Sequence, residues 1–153
     1  MKKKVKTVIF VAATLIIILL IASLFIYLKN NPPLEHSMTV VSDNLQSVVI
    51  DLPNGGVGKI EITGVKVNNN QSPEKVKIQY LLSEEGVKLL DNSNEINKAN
   101  FYSLKEKSIP PDTDIYQAKY GLNVVSDKRI ETITVKYKYF GMNYKKKVSI
   151  GMK

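Results

Sequence analysis

The chain has 153 residues, no cysteine and no tryptophan, and its 22 basic against 14 acidic side chains give a formal charge of +8. Without cysteine, disulfides, thiol redox chemistry and the lipid-bearing cysteine of a bacterial lipoprotein are excluded, so any folded domain is held by packing alone. The charge is uneven: Lys2, Lys3, Lys4, Lys6 and Lys29 flank one apolar run, residues 30–153 carry 17 basic and 14 acidic residues, and from Lys136 onward there are six lysines and no acid.

Val8–Leu28 is 21 residues without charge or proline. As a helix it is about 31 Å long, which matches the ~30 Å hydrocarbon core of a bilayer. Four lysines precede it and one follows, so the positive-inside rule predicts a cytosolic basic tail at 1–7 and a body across the membrane. A cleaved signal peptide has a shorter apolar region and a small-x-small site. Ala22-Ser23 fits that site only loosely, and five more apolar residues follow it, so the segment reads as an uncleaved signal anchor.

Lys29-Asn30-Asn31-Pro32-Pro33 cannot continue the helix, and residues 29–44 read as a stalk or linker. His36, the sole histidine, reads as a solvated linker residue within it. The domain proper is expected over 45–153. A first short strand is expected at Met38–Val41, and from Val48, Ile50 and Leu52 the apolar pattern has period two. Pro53-Asn54-Gly55-Gly56 turns the chain. Ile60 and Ile62 then give way to Val65 and Val67, a parity switch that predicts a β-bulge at Gly64. Val76, Ile78, Tyr80 and Leu82 form another half-buried strand.

Glu84–Asp91 reads as a helical turn or short strand, Asn92–Asn100 as a polar loop, and Phe101–Leu104 as a short edge strand. After a turn at Ile109–Asp114, Tyr116, Ala118, Tyr120, Leu122 and Val124 form one apolar face, and Ile133, Val135, Tyr137 and Tyr139 form the next. A two-residue turn at Gly141-Met142 would pair Tyr139 with Tyr144, Val135 with Val148 and Ile133 with Ile150. Seven to nine short strands in about 110 residues predict an all-β, immunoglobulin-like antiparallel β-sandwich behind one N-terminal transmembrane helix. The clustered tyrosines read as core, with hydroxyls at the rim.

The same register sets Lys138 opposite Lys145 and Lys136 opposite Lys147, with Lys146 beside them. Like charges directly opposite are destabilising. The four lysines Lys136, Lys138, Lys145 and Lys147 are therefore the candidate anion-binding residues, set against the alternative that lysine merely guards an edge strand. Phosphate-bearing wall polymers or lipid headgroups are the expected polyanions. Nucleic acid is not expected, because no aromatic stacking face accompanies the lysines.

Ser37-Met38 resembles the Ser-Met nucleophile that membrane-anchored signal peptidases carry soon after their transmembrane helix. Thr39-Val40 follows where those enzymes have a Pro-Thr step, and Leu52-Pro53-Asn54-Gly55 lacks the basic strand and the Asp of their Gly-Leu-Pro-Gly-Asp-like turn. A nucleophile without an identifiable base is not a mechanism. Asp91-Asn92-Ser93-Asn94-Glu95 begins like a calcium loop, but Ile96 and Tyr102 stand where Gly and Glu are needed. Asp112-Thr113-Asp114 reads as a solvated turn. No catalytic residue, metal or cofactor is expected.

The resulting expectation is a single-pass, membrane-anchored extracytoplasmic binding or scaffolding module at a bacterial cell envelope, without enzymatic activity. Lys used 21 times against one Arg, with 13 Asn, suggests an AT-rich genome. Two alternatives belong to other classes. One is an accessory or immunity-type subunit whose helix pairs with a larger membrane protein through Ala12, Ala13, Thr14, Ala22 and Ser23. The other, more remote, is a serine/lysine peptidase.

Overall fold

A computed structural model describes residues 2–36, 39–80, 101–111 and 120–151. The chain divides into two compact units, Met1–Pro32 and Pro33–Lys153. The first is one helix, α1 (Lys2–Asn30), of which Lys4–Asn30 is long and apolar enough to cross a membrane. Large apolar side chains are exposed all along it, from Val5 to Tyr27. A helix apolar on every side has no polar face to turn to water, so α1 has the character of a signal anchor or signal sequence. The hydroxyls of Thr14 and Ser23 are satisfied within the helix, Thr14 Oγ1 donating to Phe10 O and Ser23 Oγ to Leu19 O. Asn31 closes the helix by donating both its backbone N–H and its side-chain amide to Tyr27 O, and Pro32-Pro33 bars a further turn.

Among its described residues the second unit holds eight strands: β1 (Thr39–Val41), β2 (Ser47–Asp51), β3 (Ile60–Val67), β4 (Lys75–Tyr80), β5 (Phe101–Tyr102), β6 (Tyr120–Val125), β7 (Thr132–Tyr139) and β8 (Met142–Ser149). They form two antiparallel sheets, one ordered β1-β2-β6-β4-β5 and the other β3-β7-β8. By content the whole chain is thus α+β, a long helix followed by β structure.

Period-two patterning explains which side chains are inside. Ile133, Val135, Tyr137 and Tyr139 are buried along β7, as are Ile60 and Ile62 and then Val65 and Val67 along β3. The switch of parity on β3 coincides with a register shift between Ile62 and Gly64, so the bulge expected at Gly64 is present. Strands β2 and β6 are buried on both faces, and the second face contains a buried polar pair in which Asn123 Nδ2 donates to Gln79 Oε1 at 2.7 Å. The short strand expected at Phe101 lies at the edge of the larger sheet, as β5.

Burial pushes the Tyr137 phenol up to about 12, a rise that a backbone hydrogen bond with Leu34 partly offsets. The tyrosines otherwise divide between the sheets. Tyr80 and Tyr120 meet edge-to-face with ring centroids 5.3 Å apart, and Lys107 Nζ lies 5.1 Å from the ring centroids of Tyr120 and Tyr102.

One reading of the linker is corrected. His36 is half-buried, with Nδ1 2.6 Å from Asp51 Oδ1 and Nε2 3.0 Å from Thr39 Oγ1. It is part of the β unit and not a solvated linker residue, because Asp51 is 2% exposed and a carboxylate so placed requires partners. The preceding residues belong to the same unit: Pro33 O accepts from Gly55 N, and Leu34, 2% exposed, bridges to Asn54. Ser37-Met38, Glu84–Asp91, Asn92–Asn100, Asp112-Thr113-Asp114, Tyr116 and Ala118 lie outside the described residues.

Candidate functional site

The lysine-bearing surface is built by the β7–β8 hairpin. Its turn is Phe140–Gly141, with φ of +47° and +76°, the left-handed pair that a two-residue type I′ connection requires. The expected turn at Gly141-Met142 is therefore displaced by one residue and the register by two. Tyr139 pairs with Met142, Tyr137 with Tyr144, and Ile133 with Val148. A shift of two keeps every side chain on its face and changes only its partner. Lys138 thus faces Asn143, Lys147 faces Thr134, and Lys136 faces Lys145 directly. Lys146 is opposite Val135 and so lies on the other face, half-buried.

Strand β3 completes the surface. Its register places Glu61 beside Lys138, Gly64 beside Lys136 and Lys66 beside Thr134. Five lysines (Lys66, Lys136, Lys138, Lys145 and Lys147) therefore share the outer face of the three-stranded sheet. Among the described residues the ion pairs are His36–Asp51 and Lys59–Glu61, so none of the five is in an ion pair there. Glu61 is held below the usual carboxylate range first by its hydrogen bond to Lys59, then by the Lys59 charge, with Lys138 adding to the effect. Lys66 Nζ donates to Ser72 Oγ at 2.9 Å.

Gly64 leaves open space next to Lys136, where a Cβ would meet nothing within 4 Å. A shallow cleft of about 280 Å³ lies there, lined by Thr63, Lys136, Asn143 and Lys145 and reaching Tyr137 and Tyr144. The two tyrosine rings stack on each other with centroids 5.3 Å apart, and Tyr137 is buried. Burial, and secondarily Tyr139, raises the Tyr144 phenol. Ammonium groups are compact charges with three rotatable donors, suited to anionic oxygens of no fixed geometry. The face therefore presents positive charge of a kind suited to phosphate or carboxylate oxygens.

Comparison with protein-family models, with curated proteins and with solved structures finds no match. The reading of this face therefore rests on the chain's own residues.

Of the residues singled out from sequence, Lys136, Lys138, Lys145 and Lys147 do lie on one face, with Lys136 and Lys145 as its direct pair. Lys66 was not singled out, yet the parity switch at Gly64 was the available signal, since it moves Lys66 onto the outer face beside Thr134. The Asp51–His36–Thr39 chain of hydrogen bonds was also missed, and no spacing rule could have supplied it, because His36 and Asp51 are 15 residues apart and meet only through the fold. Among the described residues no three His, Asp or Glu side chains converge as a metal site would need.

Proposed function

We propose that this protein is a single-pass membrane-anchored module, with its N-terminus cytosolic and its β unit outside, that binds an anionic envelope polymer through the outer face of the β3-β7-β8 sheet. The observation that carries the reading is the Lys136–Lys145 pair, two like charges directly opposite with Lys66, Lys138 and Lys147 on the same face. Such a pairing opposes folding, and a bound polyanion removes the repulsion. The length and apolar character of helix α1 and its lysine asymmetry support the anchor and its orientation.

An immunoglobulin-like sandwich is the architecture this reading adopts. With β1, β2, β3, β4, β6, β7 and β8 taken as A to G, the two sheets are ordered A-B-E-D and C-F-G, the constant-type arrangement, with β5 as an added edge strand. In that arrangement the binding face is the C-F-G sheet, and the module acts by adhesion and not by catalysis.

The test uses full-length protein in detergent or nanodiscs and a poly(glycerol phosphate) wall polymer as probe, over a salt series. Wild type should bind with a steep salt dependence, and a Lys136→Gln/Lys145→Gln variant should bind at least about tenfold more weakly. Equal binding by both proteins, or none by either, would refute the assignment. The accessory-subunit alternative has less support, because the Thr14 and Ser23 hydroxyls are already satisfied by their own helix.

A further inference from the structure

The β unit begins at Pro33, three residues after the last residue of α1. Which end of the unit receives the chain is set by local contacts. Pro33 O accepts from Gly55 N at 3.0 Å, and Leu34 bridges to Asn54. The β2–β3 loop, residues 52–59, is thus alongside the point where the chain enters the unit. The β7–β8 turn is at this same end, because Tyr139 Oη accepts from Val57 N at 3.0 Å and the Phe140 ring lies over Gly58.

This end carries two of the three exposed large apolar residues of the β unit's described part. Val57 at the tip of the loop is 85% exposed and Phe140 in the turn is 56% exposed, the third being Val41. Phe140 is doubly unfavourable where it is. A bulky ring stands in water, and its backbone is left-handed at φ +47°, a conformation that the turn would assign to Asn or Gly. Strain of this kind in an exposed residue is a pointer to function.

The two tips are also held in place. Asn54, fully buried, donates to Gly58 O at 2.8 Å and Ile109 O at 3.0 Å and accepts from Gly56 N at 3.1 Å. Tyr139 meets Phe140 edge-to-face with centroids 4.6 Å apart. Basic groups border the apolar tips: a cleft of about 230 Å³ is lined by Gly58, Lys59, Glu61, Lys138, Phe140 and Gly141.

We propose that the Val57 loop and the Phe140 turn form a membrane-contact edge, which dips into the interface of an anionic bilayer while Lys138, next to the Lys59–Glu61 ion pair, faces lipid phosphates. The inference rests on the reading of α1 as an anchor. The tether argues for this occupant. Three chain steps from Asn30 to Pro33 reach on the order of 10 Å, so whatever end of the unit receives Pro33 is confined near the bilayer surface. Apolar tips rimmed by lysine are what an interface of acyl chains and anionic headgroups accommodates, at a depth of about 5–10 Å. Lys138 is at the turn end of the lysine-bearing sheet face, and Lys66, Lys136, Lys145 and Lys147 remain open to polymer.

The chain has no tryptophan, so each of four substitutions introduces a single fluorophore: Phe140→Trp, Val57→Trp, Lys128→Trp and Leu19→Trp. Lys128 is exposed and lies in the β6–β7 turn, at the far end of the eight-residue strand β7, about 26 Å of strand away. Each full-length variant is reconstituted into phosphatidylglycerol-containing vesicles with and without brominated acyl chains. Leu19→Trp should be quenched as a spanning residue. Phe140→Trp and Val57→Trp should be quenched about twofold and blue-shifted, and Lys128→Trp unchanged, as interfacial insertion of one end requires. Quenching of either tip with Lys128→Trp silent supports the proposal, and the two tips report independently should one substitution disturb its loop. If Leu19→Trp is quenched and neither tip is, or if Lys128→Trp is quenched equally, the edge is refuted and the anchor stands. If Leu19→Trp is not quenched, the anchor reading fails and the edge fails with it.

Discussion

Lys136 and Lys145 stand directly opposite on neighbouring strands β7 and β8, with Gly64 on the third strand leaving the space beside them open. The hairpin's bonded pairs include Ile150 N to Glu131 O, so alternate pairs, Lys136–Lys145 among them, are the closely spaced, non-bonded kind. Repulsion between directly opposed like charges is expected to weigh on stability, by a few tenths to ~1 kcal/mol. Either Lys136→Gln or Lys145→Gln should therefore raise the urea midpoint at low salt, while weakening polymer binding. A stability loss on substitution would mean that the pair is held for packing and not for its field.

Phe140 permits a second test in which stability and function separate. Phe140→Asn creates the Asn-Gly sequence that a type I′ turn favours at φ +47° and +76°. Relief of backbone strain and removal of an exposed ring should stabilise the fold by about 0.5–1 kcal/mol, seen as a higher melting temperature. The same variant, carrying Val57→Trp as reporter, should show weaker quenching by brominated lipid. A lower melting temperature would show that Phe140 packs on Gly58 more productively than its 56% exposure implies.

How far the sequence revealed this arrangement depended on the range of the interactions involved. Ile60, Ile62, Val65 and Val67 announced both a strand and its bulge, because burial alternation is local and Gly64 marks where it breaks. The faces of β7 and β8 were legible for the same reason. Their register was not, since Gly141 next to Met142 suggested a turn with glycine first, whereas the fold places Phe140 in a left-handed position that propensity disfavours. Lys136 was thus matched with Lys147 where the structure matches it with Lys145. Nothing near His36 in the sequence calls for a partner, so the sequence alone leaves it solvated. Its partner Asp51 sits in a strand whose five residues are all buried, a burial that alternation along Val48, Ile50 and Leu52 did not predict.

His36 fastens the entering chain to that strand. Removing the imidazole leaves the Asp51 carboxylate, 2% exposed, without its 2.6 Å contact. Leaving a buried polar group short of a hydrogen-bond partner is expected to cost about 1–3 kcal/mol, so His36→Ala should melt below wild type. His36→Gln, which keeps a donor near Asp51, should recover part of the loss. Equal melting temperatures for His36→Ala and wild type would show that the remaining contacts of Asp51 suffice.

Tyr137 gives the unit an alkaline limit. Its phenol, 1% exposed, is raised from 10.0 to about 12 by burial, against the smaller opposing effect of the Leu34 backbone hydrogen bond. In the unfolded chain the phenol loses its proton near pH 10 while the folded chain still holds it, so the unfolded state binds fewer protons and stability falls as pH rises. The contribution is fully present below pH 10 and is lost on passing through about pH 12, a change of about 2–3 kcal/mol over the window. Tyr144, also raised by burial, acts in the same direction. Tyr137→Phe should lower stability at pH 8 by about 1 kcal/mol through loss of the hydroxyl's hydrogen bond. Its urea midpoint should then decline less steeply than wild type between pH 10 and 12, so that the two curves converge. Parallel curves would assign the alkaline loss to other groups.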